Sequence, residues 1–302
     1  MQHQPISATE RIVSVNGIEL CYETFGDSRQ PALLLIMGLG FQLVHWPDEF
    51  CQRLAERGFC VVRFDNRDAG RSTHLPGAAY TLVDMAADAI GLIDALGIRR
   101  THVVGASLGG MIAQVMATRY PSRVLSLASL MSTTGRRGKG RTSPWLLLRH
   151  MLSRGARTEQ QAIKRRVRGF ATIGSPGFEQ DVNEIRRATA LSFRRDPDHR
   201  GGRRRQFTAV RAAGDRTDQL AQITAPTVVI HGTADRMCHY SGGEATAAAI
   251  SGARLLLIPG MGHDFPPGAW PTILDAIVDN ARRARHTAGA SEGHLPNADR
   301  PG

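Results

Sequence analysis

The stretch at residues 103–110, Val-Val-Gly-Ala-Ser-Leu-Gly-Gly, limits the possible folds of this chain more than any other. The β-branched run at residues 101–104 stops at a serine between two glycines, and residues 111–120 then have a helical pattern that ends before Pro121. A buried strand that turns sharply into a helix holds its apex residue in strained backbone, and flanking glycines let strand and helix cross closely. We therefore predict a strand-turn-helix unit that presents Ser107 as a nucleophile.

Short apolar runs alternate with helical patterns along much of the chain. The runs at residues 31–37, 59–64, 124–131, 227–230 and 254–258 predict strands, and residues 82–96 and 270–285 predict two of the helices. Within residues 11–23, Asn16-Gly17 predicts an antiparallel hairpin at the sheet edge. The alternation indicates an α/β fold with a mostly parallel central sheet flanked by helices. Loops that follow the parallel strands then share one edge of the sheet.

The pattern changes after residue 134. Residues 135–216 are broken by glycine, proline and clustered charge, with helical pieces near 145–152 and 162–170. We predict a core formed by residues 1–134 and 217–286, with residues 135–216 as an inserted basic helical cap. Residues 287–302 are rich in glycine, proline and polar residues, which predicts a disordered tail.

The net charge of +11 is concentrated in the insertion. Residues 135–216 hold 21 Lys and Arg against 7 Asp and Glu, whereas the rest of the chain holds 17 against 20. The insertion has few aromatic residues to stack on bases and no helix-turn-helix or zinc-finger pattern, so we expect no nucleic-acid partner. A solvated arginine-rich surface is the simplest interpretation. An anionic lipid surface and an anionic substrate are the alternatives.

Two further features bear on the cellular location. No apolar run approaches the roughly 20 residues that span a bilayer, and the polar start lacks the regions of a signal peptide, so we expect a cytoplasmic protein. The four cysteines form no CxxC pair, which predicts free and mostly buried thiols. The oligomeric state is left open.

A serine nucleophile requires a base and a group that orients the base. Histidine suits the base because its ordinary pKa of about 6.5 lets it accept the serine proton and later return it. His263 lies in a glycine-rich loop after the last strand and before the last helix, and Asp235 ends the loop after the strand at residues 227–230. The order Ser107, Asp235, His263 therefore predicts a catalytic triad.

Other residues compete for these roles. His239, four residues after Asp235, and His45, beside the loop at residues 38–40, are the alternatives for the base. Asp264 adjoins His263, but consecutive loop residues seldom point the same way, so we interpret it as a structural or solvated carboxylate.

Acyl transfer also requires stabilisation of an oxyanion, usually by two backbone N–H groups. We predict that Leu108, at the start of the helix after Ser107, and Leu39, in the Gly-Leu-Gly loop, supply them. Their side chains, with Phe41, Trp46 and Met131, would line an apolar acyl pocket. For the last three, core packing is the alternative.

The motifs MGLG, WPDEF, FDNRDAGRS, GASLGG, TVVIHGTAD and IPGMGH resemble the α/β-hydrolase superfamily. Within it the chain is similar to bacterial serine esterases of the aclacinomycin methylesterase type, over about residues 10–134 and 217–285. The resemblance implies an α/β-hydrolase fold, Ser107, Asp235 and His263 as the triad, Leu39 and Leu108 as oxyanion donors, and no metal or organic cofactor. The cap sets substrate choice in this superfamily, and the resemblance is weak across it, so the methylesterase substrate does not carry over.

The expected activity is hydrolysis of a small-molecule carboxylic ester through an acyl-serine intermediate, of the esterase or lipase type. Thioester hydrolysis, carbon-carbon bond hydrolysis and acyl transfer could use the same triad, and a noncatalytic ligand-binding protein is the alternative of another class. Epoxide hydrolysis and dehalogenation are disfavoured because those relatives have a carboxylate where Ser107 stands. The basic cap could also contact anionic lipid at a membrane surface.

Overall fold

Eight strands form one sheet in this computed structural model, which describes residues 10–143, 145–146, 156–196 and 200–291. Pairing is antiparallel for the first two neighbouring pairs in the order β1-β2-β4-β3-β5-β6-β7-β8, and parallel for the rest. The predicted α/β-hydrolase fold class, with its mostly parallel sheet, is confirmed. The strands are β1 (Arg11–Val15), β2 (Ile18–Phe25), β3 (Ala32–Ile36), β4 (Cys60–Phe64), β5 (Thr101–Ala106), β6 (Val124–Leu130), β7 (Thr227–Gly232) and β8 (Arg254–Ile258).

The β1–β2 hairpin lies at one edge of the sheet, as predicted. Asn16 and Gly17 both have positive φ, at 51° and 77°, which is the geometry of the two-residue turn that matches strand twist. Val15 pairs with Ile18 across this turn, so the turn sets the register of the hairpin.

Helices connect the strands and flank the sheet. They are α1 (Asp48–Glu56), α2 (Leu82–Ala95), α3 (Leu108–Arg119), α4 (Glu159–Ile173), α5 (Val182–Arg195), α6 (Arg200–Ala212), α7 (Thr217–Leu220), α8 (Ser241–Ala249) and α9 (Trp270–Ser291). Three-residue 3-10 turns occur at Leu43–His45, Pro121–Arg123 and Pro267–Ala269.

The last helix continues past residue 285, where the sequence predicts its end. It includes residues 287–291, which the sequence assigns to a disordered tail, and Ala288 and Ala290 have the high helix propensity that favours this continuation. The rest of the predicted tail, residues 292–302, lies outside the described residues.

The core lies on both faces of the sheet because side chains alternate along each parallel strand. Leu34 and Val103 pack with buried residues of α2 and α3, whereas Leu35 and Val104 pack with buried residues of α1 and α9. This two-sided burial fixes the carboxyl ends of β5, β7 and β8, and therefore the loops that follow them.

The segment between β6 and β7 contributes helices, and its described residues contain no strand. The predicted helical piece at residues 162–170 lies inside α4. Of the piece at 145–152, residues 145–146 are helical and the rest lies outside the described residues.

Several arginines of this segment are not on a solvated surface. Arg195 and Arg216 are buried. Arg216 donates to Gln114 Oε1 at 3.0 Å and to the Thr133 carbonyl oxygen at 2.7 Å. The interpretation of the segment as a solvated arginine-rich surface therefore holds only in part: Arg186, Arg194 and Arg204 are exposed, whereas Arg195 and Arg216 join the segment to the core.

The four cysteines are free and buried, as predicted. Burial raises the thiol pKa of both Cys21 and Cys51 to about 12, so these groups stay protonated and unreactive at neutral pH. Within the described ranges, no helix has the length and apolar character needed to cross a membrane.

Candidate active site

The turn between β5 and α3 places Ser107 at the edge of the sheet. Its backbone has φ 56° and ψ −117°, the strained conformation that the sequence predicts. A Cβ atom on Gly105 would lie 2.1 Å from the Gly109 carbonyl oxygen, and one on Gly109 would lie 2.0 Å from the Ile36 carbonyl oxygen. The two glycines are therefore required by the close crossing of β5, α3 and β3.

Alanine at Gly109 is expected to lower the free energy of unfolding by about 3 kcal/mol, because backbone oxygens must move to admit the new methyl group. Gly169 is a matched control, since it lies within α4 and a Cβ atom there meets no other atom within 4 Å. Gly169→Ala is expected to leave stability unchanged or raise it by about 1 kcal/mol. Urea unfolding measures both; equal effects of the two substitutions would contradict the steric explanation.

The three predicted triad residues lie together. His263 Nε2 is 3.1 Å from Ser107 Oγ, and His263 Nδ1 is 2.7 Å from Asp235 Oδ2. The other carboxylate oxygen, Asp235 Oδ1, accepts the backbone N–H groups of Met237 and Cys238, each at 2.8 Å. These two bonds fix the Asp235 carboxylate and so determine where it can hold the imidazole.

The interaction between Asp235 and His263 sets the protonation of the His263 imidazole. Burial acts to raise the pKa of Asp235, but the neighbouring His263 and His231 lower it by more. The net pKa is well below the ordinary value for an aspartate. The carboxylate is therefore ionised, and His263 Nδ1 donates its proton to it. In the neutral imidazole, Nε2 is then the acceptor that faces the Ser107 hydroxyl.

The activity is expected to rise with pH through a midpoint above 6.5. Burial lowers the pKa of His263, but the charge and hydrogen bond of Asp235 outweigh it, so the net pKa is raised from 6.5. A base must be neutral to accept a proton, so a raised pKa moves the active range to higher pH. The pH profile of kcat/KM on a neutral ester tests this; a midpoint below 6.5 would contradict it.

The competing residues lie elsewhere. His45 Nδ1 is 3.1 Å from the Gln42 backbone nitrogen, and the exposed His239 has its Nδ1 3.0 Å from Ser241 Oγ. Among the described histidines, only His263 makes a hydrogen bond with Ser107. Asp264 accepts a hydrogen bond from the Ser175 hydroxyl, and so has the structural role considered for it.

The two predicted oxyanion donors border the same cavity as Ser107. Leu108 is the first residue of α3, where its N–H lies at the positive end of the helix dipole, and Leu39 follows β3 in the loop at residues 38–40, here called the oxyanion loop. Neither N–H has an acceptor among the described residues. The adjacent Gly40 N–H donates to Gln206 Oε1 at 2.8 Å, so α6 supports the oxyanion loop, a contact for which the sequence holds no signal.

A cavity of about 1290 Å³ opens over Ser107. Phe41 and Met131 line it, together with Leu39 and Leu108, as the sequence predicts. This volume exceeds the roughly 300–1,000 Å³ of most ligand pockets, so the site has room for a large substrate.

Trp46 does not line the cavity, and the prediction that it does is wrong. The turn at Leu43–His45 directs its side chain into the core, where it is fully buried. It stacks on Phe50 at 5.7 Å between ring centroids and contacts Phe265 at 4.8 Å. Trp46 therefore has the role that the sequence left open as its alternative, which is ordinary core packing.

The loop that carries His263, residues 260–264, is held by residues 173–177 at the end of α4. The His263 N–H donates to the Ile173 carbonyl oxygen at 2.7 Å, and the Gly262 N–H donates to Ser175 Oγ at 2.8 Å. Ser175 Oγ in turn donates to Asp264 Oδ1. We call this set of contacts the base-loop clamp. Ser175 could not be found from the sequence, because it lies in a segment with no recognisable motif.

The sheet topology and a serine in a strand-turn-helix unit define the class of this protein. The chain belongs to the α/β-hydrolase fold family, which matches residues 31–266. Its relatives include rhodomycin D methylesterase DauP of Streptomyces sp. (strain C5), 30% identical, and DnrP of Streptomyces peucetius, 29% identical; each match covers 91% of this chain and 98% of the relative. The resemblance to methylesterases of this superfamily is thus confirmed.

A solved structure gives the same fold. The enol-lactonase from Burkholderia xenovorans LB400 matches with a TM-score of 0.72 over 90% of this chain and 100% of that one. At 23% identity, this likeness supports the fold alone.

Proposed function

We propose that this protein hydrolyses carboxylic esters through an acyl-serine intermediate, with Ser107 as nucleophile, His263 as base and Asp235 as the orienting acid. The observation that carries the proposal is the continuous hydrogen-bonded chain from Ser107 Oγ through the imidazole to Asp235. The names of the two Streptomyces relatives support an ester as the substrate class.

The reaction has two halves. His263 Nε2 takes the Ser107 proton as Oγ attacks the ester carbonyl, and the N–H groups of Leu39 and Leu108 stabilise the oxyanion. The imidazolium then returns its proton to the leaving alcohol, which leaves an acyl-serine. Water, deprotonated by the same imidazole, attacks the acyl group; the bond from the acyl carbon to Ser107 Oγ then breaks, the imidazolium returns its proton to Oγ, and the acid product leaves.

The basic segment at residues 135–216 acts in this proposal as a cap. Side chains from three of its helices line the cavity over Ser107, including Phe170 on α4, Thr189 on α5 and Phe207 on α6. These residues therefore contact the substrate beyond its reacting carbonyl. A cytoplasmic location and peripheral contact with anionic lipid stay predictions; binding to anionic vesicles that weakens steeply with salt would support the latter.

A fluorophosphonate probe and a substrate panel test the proposed reaction. The probe is expected to label one residue, mapped by peptide mass spectrometry to Ser107, and p-nitrophenyl esters are expected to be hydrolysed faster than acyl-CoA thioesters and 1,3-diketones. Faster cleavage of a thioester or a diketone would instead indicate thioester hydrolysis or carbon-carbon bond hydrolysis as the reaction. A bound ester that is not turned over within hours would favour a noncatalytic binding protein.

A further inference from the structure

Two arginines of different helices line the cavity over Ser107. The Arg166 guanidinium, on α4, lies 4.1 Å from the ring centroid of Phe41 and 6.0 Å from that of Phe170. Arg203, on α6, covers Gly40 so closely that a Cβ atom there would lie 2.6 Å from its Cγ. Both side chains line the cavity and are half-buried.

Other arginines of the same segment have carboxylate partners. Arg187 pairs with Glu184 and Arg194 with Glu159, and the buried Arg195 pairs with Asp65 at 2.7 Å. Among the described residues, no carboxylate lies within 4 Å of the guanidinium of Arg166 or of Arg203. Within the described ranges, these two cavity-lining cations therefore have no carboxylate paired with them, unlike Arg187, Arg194 and Arg195.

The acidic side chains of the cavity wall already have partners. Asp181 caps α5 by accepting the Glu184 N–H, and Glu184 binds Arg187. Asp264 belongs to the base-loop clamp. The part of the wall that the structure describes therefore supplies no spare carboxylate for the two arginines.

Holding two like charges in a half-buried, aromatic-lined site costs free energy. Burial first, and then repulsion from Arg203 and Arg165, lowers the pKa of Arg166 to about 10. Burial and the charge of Arg165 likewise lower the pKa of Arg203. At neutral pH both groups remain protonated, so a bound anion would relieve their repulsion.

We propose that Arg166 and Arg203 bind a free carboxylate of the substrate, so that the preferred substrate is an ester that also carries a carboxylate. Two guanidiniums offer the planar, paired donors that carboxylates accept. Arg166 lies against Phe41 and Arg203 against Gly40, so the carboxylate binds on the side of the cavity next to the oxyanion loop. The inference rests on the proposed ester hydrolysis and names its substrate class.

Matched pairs of esters test this inference. The first pair is the p-nitrophenyl monoester of adipic acid and its neutral isostere, p-nitrophenyl 6-methylheptanoate, which places the charge on the acyl side. The second pair is 4-acetoxybenzoate and phenyl acetate, which places the charge on the alcohol side. Rates with Ser107→Ala protein are subtracted, because the adipate monoester can also hydrolyse by attack of its own carboxylate.

For at least one pair, kcat/KM of the wild-type protein is expected to favour the charged ester by about tenfold or more. Arg166→Gln and Arg203→Gln are each expected to reduce that preference, the ratio of kcat/KM for the charged ester to kcat/KM for the neutral ester, by about tenfold. Arg166→Lys, which keeps the charge, is expected to restore part of the preference. Arg204→Gln, on the exposed side of α6, removes the same charge outside the cavity. It is expected to change kcat/KM for neither the charged nor the neutral ester.

The outcomes separate this inference from the proposed function. Hydrolysis of neutral esters with no preference for either charged ester, unaltered by Arg166→Gln and Arg203→Gln, overturns the carboxylate site and leaves ester hydrolysis standing. If no ester is hydrolysed, calorimetric binding of free adipate to Ser107→Ala protein still decides the matter. If adipate binds to Ser107→Ala protein and no longer binds once Arg166→Gln is added, the site is supported. If adipate does not bind to Ser107→Ala protein, the site is overturned.

Discussion

Alanine at Ser107 or at His263 is expected to lower kcat for ester hydrolysis by about 10⁵-fold or more. Ser107 supplies the atom that attacks, and His263 Nε2, 3.1 Å from Ser107 Oγ, is placed to accept its proton. Without either group the remaining catalysis comes from the oxyanion donors and substrate binding. Asp235→Asn is expected to cost about 10⁴-fold, because an amide can hold the imidazole in the wrong tautomer.

Steady-state kinetics of the single and double variants measure these losses. Because the two residues act as a unit, Ser107→Ala combined with His263→Ala is expected to be no slower than either alone. His239→Ala is the matched control, since that histidine is exposed and bonds within its own turn. Loss of activity in His239→Ala, with activity retained in His263→Ala, would reassign the base.

The second large effect is expected at Arg195. Its guanidinium lies 2.7 Å from Asp65 Oδ2, 2.6 Å from Gln42 Oε1 and 2.8 Å from Glu10 Oε1. The side chains of Arg195 and Asp65 are 1% and 0% exposed. Arg195→Met would leave a carboxylate buried without its cation, so the free energy of unfolding is expected to fall by about 3–5 kcal/mol.

The neighbouring residue provides the control. Arg194 pairs with Glu159 at 3.1 Å, and its side chain is 59% exposed, so Arg194→Met is expected to cost less than about 1 kcal/mol. Asp65→Asn, added to Arg195→Met, removes the uncompensated charge and is expected to recover part of the loss. Denaturant unfolding at neutral pH compares the variants. Equal losses for Arg194→Met and Arg195→Met would mean that the buried pair contributes no more than the surface pair.

Features set by short-range chemistry could be predicted from the sequence. The hairpin follows from Asn16-Gly17, whose residues tolerate positive φ, and the central strands follow from short apolar runs. The meeting of Ser107, Asp235 and His263 was also predictable, because parallel strands bring the loops after them to one edge of the sheet.

Features set by distant partners could not be predicted. Arg195 is 130 residues from Asp65 in sequence, and nothing in a run of arginines shows which one will be buried. Trp46 could equally have faced the cavity or the core, since its direction depends on the 3-10 turn before it. The same limit applies to Arg166 and Arg203, which share a cavity only because α4 and α6 both contribute to its wall.

The base-loop clamp joins the segment at residues 135–216 to the loop that carries the proposed base, His263. Exchange of residues 135–216 for the corresponding segment of a relative would replace the Ser175 hydroxyl that accepts from the Gly262 N–H, and could displace the backbone carbonyl at residue 173 that accepts from the His263 N–H. We therefore expect new specificity in this scaffold to arise by substitutions within the existing insertion, or in inserted segments that bring equivalent contacts. Grafted chimaeras that keep residues 173–177 should retain turnover where chimaeras without them do not.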